Sequence, residues 1–216
     1  MTPPILFDMD GIILDGPGTH PMVYADAADL VLDEFGVEPT HEQRRDLRRH
    51  GLDGVDEHCT ALGIDPEEFW YRLERYASDR THERIESGER GWYDDIDAID
   101  DLAERTTIGL VTNNRQWTAD FVTDYFDLDF AVVQGRDPTP DGFERRKPDP
   151  YYIERALSAL DIEDGIYVGD RKKDVTAGDA AGLETALIRR EHNRDLERPE
   201  RATYDLDSLR ELLALD

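Results

Sequence analysis

Apolar residues come along this chain in two rhythms. Three short unbroken runs, at 4–7, 108–111 and 165–168, read as buried parallel strands, because a strand covered on both faces shows no polar alternation. Weaker runs at 131–133 and 185–188 read the same way. Between them, Trp117, Phe121 and Tyr125, and later Ile153, Ala156, Leu157 and Leu160, recur at the spacing of helices with one buried face. Strand followed by helix, repeated, predicts an α/β fold on a doubly wound parallel sheet.

Residues 16–91 break that alternation. They hold helical patterns and no convincing strand: Tyr24, Ala27, Ala28, Val31, Leu32 and Phe35 form one apolar stripe, and Phe69, Leu73, Tyr76 and Ala77 form another. Turn residues stand at both ends, Gly16-Pro17-Gly18 and Ser87-Gly88 through Gly91. The expected organisation is an α/β core from 1–15 and 92–216, with a helical domain, 16–91, inserted just after the first strand.

Charge narrows the partners. The 216 residues carry 51 acidic against 25 basic side chains, a net charge of -26, which repels nucleic acid and anionic lipid. The only lysines are Lys147, Lys172 and Lys173, whereas arginines run along the whole chain. This bias resembles proteins of salt-loving microbes: in molar salt the Debye length falls to about 3 Å, so a carboxylated surface costs little self-repulsion. No apolar stretch is long enough to cross a bilayer and no secretory pattern opens the chain, so a cytoplasmic location is expected. Cys59 is the single cysteine, which excludes an intramolecular disulfide and a thiolate cage; its spacing from Val55 and Leu62 suggests a buried small hydrophobe.

Candidate chemistry gathers where the strands end. Asp8 and Asp10 follow the first run directly, in the order Phe7-Asp8-Met9-Asp10-Gly11. Period-two alternation would send both carboxylates to one side, to share a cation or divide acid and nucleophile roles; a solvated surface pair is the alternative. Thr112 and Asn113 follow the second run and offer donors suited to phosphate oxygens, or else a turn. Asp170 and Asp174 follow the third, four residues apart at a helix entrance, as ligands for Mg²⁺ or as a cap with an acidic first turn. Lys147 precedes Pro148-Asp149-Pro150, which keeps its ammonium near a helix start, and a compact ammonium fits a cramped anionic site better than a guanidinium fork. In an open parallel sheet, ligands bind outside the carboxyl ends of the strands.

The order Asp-x-Asp-Gly, Thr-Asn, Lys-Pro, Gly-Asp-x-x-x-Asp on an α/β pattern resembles the haloacid dehalogenase-like superfamily of phosphatases and phosphomutases, in its phosphoglycolate phosphatase and β-phosphoglucomutase branch. The resemblance implies a Mg²⁺-dependent phosphatase for a small phosphorylated metabolite, acting as a monomer or homodimer. Asp8 would be the nucleophile forming an aspartyl-phosphate, and Asp10 the acid and then the base. Mg²⁺ would sit on Asp8, the Asp10 carbonyl, Asp170 and Asp174, with Thr112, Asn113 and Lys147 on the phosphate. The presence of Asp10 argues against dehalogenation. Ile12, Gly16 and Arg171 depart from the commonest residues of that pattern, and none removes a catalytic group. His20 matches a hinge histidine of the mutase branch, so a sugar-phosphate mutase is the alternative enzyme; a catalytically silent binding protein is the non-enzymatic one. His20, Arg48, Arg49 and His50 are candidate substrate contacts in the inserted domain, and the other histidines are expected at the surface.

Overall fold

The computed structural model describes residues 2–215. In chain order the elements begin with β1 (Ile5–Phe7), followed by four helices, α1 (Pro21–Glu34), α2 (His41–Leu47), α3 (Val55–Leu62) and α4 (Pro66–Glu86). Then come α5 (Ala98–Ala103), β2 (Ile108–Arg115), α6 (Gln116–Tyr125), β3 (Val132–Arg136) and the short α7 (Pro140–Glu144). The chain finishes with α8 (Tyr151–Leu160), β4 (Ile166–Gly169), α9 (Lys172–Ala180), β5 (Glu184–Ile188) and β6 (Tyr204–Leu206). No helix among the described residues is long and apolar enough to cross a membrane.

All six strands are parallel, in the order β3-β2-β1-β4-β5-β6. β1 lies at the centre, with Ile5 opposite Ile108 on one side and Ile166 on the other. Every residue of β1 and β4 is buried, which is why their sequences carry no polar alternation. Leu6, Val111 and Tyr167 pack from the sheet onto Tyr152, Ile153, Ala156 and Leu157 of α8 and Ala177 of α9. The strand order reverses direction beside β1, so the carboxyl ends of β1, β2 and β4 meet at the switch point where such folds bind ligands.

The chain divides into two compact units. The first comprises Met1–Gly18, Arg90–Arg136 and Arg145–Asp216; the second comprises Thr19–Glu89 and Asp137–Glu144. Sequence patterning assigns 137–144 to the α/β part. In the structure that segment belongs with the inserted helices, because Phe143 packs in their apolar core with Val31, Leu32, Phe69, Trp70 and Leu73. Cys59 is buried in the same core, and burial pushes its thiol up to about 12, which leaves it unreactive. Local signals set the helix starts: Thr40 and Gln43 form a reciprocal cap on α2, and Asp65 caps α4 ahead of Pro66.

One helix presents a different face from the one its pattern predicts. Trp117, Phe121 and Tyr125 of α6 are half-buried or exposed, and the covered face is Thr118, Ala119, Val122 and Thr123. The reason lies at Gly135 of β3: a Cβ there would come within 2.5 Å of the Gln116 Cα. At so close an approach only small side chains fit beneath the helix, and the aromatics are left outside, stacked as Phe121 on Tyr125 with ring centroids 5.4 Å apart.

Candidate active site

Asp8 continues β1 by one residue, its N–H donating to the Val168 carbonyl of β4 at 2.8 Å. β1 itself ends at Phe7, so the alternation expected to align Asp8 with Asp10 stops there. The chain instead turns over residues 9–14, where the N–H groups of Ile13 and Leu14 both donate to the Met9 carbonyl, and the two carboxylates meet different partners. Gly11 in that turn has φ +86°, and a Cβ on it would lie 2.3 Å from Asp170 Oδ2, so only glycine fits.

Asp8 faces Lys147. The Lys147 Nζ lies 2.8 Å from Asp8 Oδ1 and 2.8 Å from Asp174 Oδ1, and it donates to the Tyr167 hydroxyl at 2.6 Å. Tyr167, on β4, in turn donates to the Val111 carbonyl. Burial works against the Lys147 ammonium, but the carboxylates of Asp174 and Asp8 outweigh it and hold the amine well above its ordinary value. Asn113 clamps the backbone of this lysine at two points: its amide nitrogen donates to the Lys147 carbonyl at 3.1 Å, and its amide oxygen accepts from the Lys147 N–H at 2.8 Å. The Thr112 hydroxyl is buried and accepts from the Asn114 N–H.

Asp170 and Asp174 flank the step from β4 into α9, and both are fully buried. Each of Asp8, Asp170 and Asp174 offers a carboxylate oxygen within 4.8 Å of the others'. Asp170 Oδ1 is buried with no hydrogen-bond partner. Burial, followed by the charges of Asp174 and Asp8, raises the Asp170 carboxyl to about 8; burial also raises Asp8 against the pull of Lys147. Three carboxylates crowded in a buried site around one ammonium repel one another, and a hard divalent cation would relieve that repulsion and give the unpartnered Asp170 oxygen a partner.

Asp10 is held apart from this group. Arg90 Nη2 donates to its Oδ1 at 2.7 Å and Asn114 Nδ2 to its Oδ2 at 3.1 Å. Burial pushes its carboxyl up, but the Arg90 charge and hydrogen bond, helped by Asn114, prevail and hold it below the ordinary carboxylate value.

Residues 5–188 match the haloacid dehalogenase-like hydrolase family. The chain belongs to that family. N-acetylmuramic acid 6-phosphate phosphatase of Pseudomonas aeruginosa is 30% identical over 190 residues, covering 86% of this chain and 80% of the relative. Phosphoglycolate phosphatase 1 of the same organism is 28% identical and covers 97% of this chain and 78% of its own length. In structure the chain is similar to CbbY of Rhodobacter sphaeroides, solved with phosphate, with TM-score 0.67, 21% identity and coverage of 98% and 96%. The protein is thus a haloacid dehalogenase-like hydrolase whose named relatives are phosphatases.

In this hydrolase, residues outside the family motifs complete the site. His192 Nε2 lies 2.5 Å from Asp170 Oδ2, and Asn193 Nδ2 donates to the Asp170 carbonyl at 2.7 Å. His192 lies at the surface, as expected, and its contact with Asp170 is what the sequence does not show; its ring is held below its ordinary value by burial, then by Arg171 and Arg190. Arg190 donates to the carbonyls of Gly11 and Ile12 and makes a two-point pair with Asp95, fixing the turn that follows Asp8. The four candidate contacts of the inserted unit have partners inside it. His20 caps α1 by accepting from the Met22 N–H, Arg48 pairs with Asp29, Arg49 with Asp46, and His50 with the buried Glu74 while stacking on Tyr24.

Proposed function

We propose that this protein is a Mg²⁺-dependent phosphatase that hydrolyses a small phosphate monoester through an aspartyl-phosphate on Asp8. The observation that carries the reading is the buried group of Asp8, Asp170 and Asp174 around one lysine, with Asp170 Oδ1 left unpartnered. Asp8, Asp170 and Asp174 would hold the Mg²⁺, with the Asp10 carbonyl as a further ligand. The cation, when bound, supplies charge neutralisation that lets a carboxylate approach an anionic phosphate.

The chain's own groups carry the steps. An Asp8 carboxylate oxygen attacks phosphorus, a bond forms from that oxygen to phosphorus, and the ester P–O bond breaks. Asp10, which Arg90 and Asn114 favour as a carboxylate before substrate binds, first takes up a proton from solvent and then gives it to the departing alkoxide. Asp10, now a carboxylate, takes a proton from water, whose oxygen attacks phosphorus and returns Asp8 as a carboxylate with inorganic phosphate released. Lys147 and the Thr112–Asn113 segment hold phosphate oxygens as charge shifts. Substrate choice is assigned to the inserted helical unit, and a small phosphorylated metabolite in the cytoplasm is the expected partner. His20 gives the mutase reading no added weight, because its Nδ1 is spent on a helix cap.

Release of phosphate from p-nitrophenyl phosphate and 2-phosphoglycolate, in molar salt with and without Mg²⁺, tests this. The wild type should turn over only with Mg²⁺, and Asp8→Asn should lower kcat by more than about 10³-fold while staying folded. Near-normal turnover in that variant would falsify the assignment.

A further inference from the structure

The two passages that lead into and out of the inserted unit run side by side within the first unit. The Asp15 N–H donates to the Gly91 carbonyl at 3.0 Å, the Tyr93 N–H to the Ile13 carbonyl at 3.2 Å, and Leu14 and Trp92 form an antiparallel bridge. Arg90 sits at this junction and is nearly covered, its side chain 11% exposed. Its Nε donates to the Asp15 carbonyl at 2.9 Å, its Nη2 reaches the Gly16 carbonyl at 3.5 Å, and the same Nη2 holds Asp10 Oδ1 at 2.7 Å. One guanidinium therefore grips the first passage, belongs to the second, and orients a carboxylate whose other oxygen is fixed by Asn114.

We propose that Arg90 is a positioning residue for Asp10, tying the aim of that carboxylate to the geometry of the two passages. This rests on the phosphatase reading above. A planar fork with donors on adjacent nitrogens can meet backbone carbonyls and a carboxylate at once, which an ammonium at the same place cannot. Arg90 acts only through Asp10. Its effect is to set where Asp10 presents its proton to the departing oxygen, so its loss should matter most when that oxygen is a poor leaving group.

The test compares kcat/KM, with Mg²⁺ in molar salt, for p-nitrophenyl phosphate, phenyl phosphate and glycerol phosphate. The proteins are full-length wild type, Arg90→Gln, Arg90→Lys, Asp10→Asn and the double variant Arg90→Gln/Asp10→Asn. The expected result is a loss of about 100-fold for Arg90→Gln on glycerol phosphate but under about fivefold on p-nitrophenyl phosphate, with Arg90→Lys intermediate. Adding Arg90→Gln to Asp10→Asn should then cost nothing further, because the group being aimed is already gone. The ratio between substrates is independent of how much of each variant is folded. An equal loss on all three esters, or full additivity in the Asp10→Asn background, overturns the proposal while leaving the phosphatase reading intact. A wild type that releases phosphate from none of the three overturns both.

Discussion

Replacing Lys147 by methionine keeps the length of the side chain and removes the only ammonium among the described residues that touches Asp8 and Asp174, both 2.8 Å away and both buried. A carboxylate left in that site without its partner takes up a proton. From an ordinary value of 3.8, protonation at pH 7 costs about 4 kcal/mol, and at pH 5 about 1.5 kcal/mol. The larger figure agrees with the roughly 3–5 kcal/mol seen when one member of a buried ion pair is deleted. At roughly 2–4 °C per kcal/mol for a chain of this size, the melting temperature should fall by about 8–16 °C at pH 7 and about 3–6 °C at pH 5. Calorimetry of the metal-free proteins in molar salt, with a chelator present, measures both shifts. A fall below about 2 °C at pH 7, or one that does not change with pH, would refute the reasoning, since the penalty arises from forcing an acid to stay neutral above its ordinary range.

Other outcomes rest on the same buried charges. With Asp170 raised to about 8 from 3.8, the metal-free folded state holds a proton that the unfolded state has lost between those two values, so this group's contribution to stability should decline as pH rises from about 4 to about 8 and level off above that. Excess Mg²⁺ should raise the melting temperature most at the alkaline end, where the cation competes with fewer protons, and a Mg²⁺ effect that shrinks with pH would contradict this. Arg190→Lys gives up the two-point pair with Asp95 and the hold on Gly11 and Ile12, and urea unfolding should show a loss of about 2–4 kcal/mol; less than about 0.5 kcal/mol would mean that the turn holds itself. Finally, a chain of net charge -26 should melt at lower temperature in millimolar than in molar salt, and an unchanged transition would count against adaptation to high salt.

What could be read from the sequence follows from how local each cause is. The strand runs ending at Phe7, Val111 and Val168 are legible because a parallel strand buried on both faces must be apolar throughout, whatever surrounds it. β6 is three half-buried residues at the sheet edge, and Tyr204-Asp205-Leu206 carries no pattern distinct from a loop. The aromatic spacing on α6 misleads because the deciding residue, Gly135, lies in a different element and acts by removing the room that large side chains need.

The candidate site divides along the same line. Asp8, Lys147, Asp170 and Asp174 are visible because their chemistry is scarce in kind or fixed in spacing: a strand tip followed by glycine, one of three lysines, and acids four residues apart. Arg90, Asn114, Tyr167 and His192 carry no such mark. Each acts on a carboxylate or ammonium distant in sequence, Arg90 standing 80 positions from Asp10 and His192 22 positions from Asp170, and an arginine in a chain this rich in arginine has nothing to set it apart. Yet partners distant in sequence decide charge at the site: Arg90, helped by Asn114, keeps Asp10 below the ordinary carboxylate value, whereas burial and then the charges of Asp174 and Asp8 raise Asp170 to about 8. Two carboxylates of one site are thus driven in opposite directions, Asp10 toward its charged form and Asp170 toward its neutral one, by surroundings that only the folded chain supplies, and carboxyls pushed apart in this way are the ordinary mark of groups given different tasks.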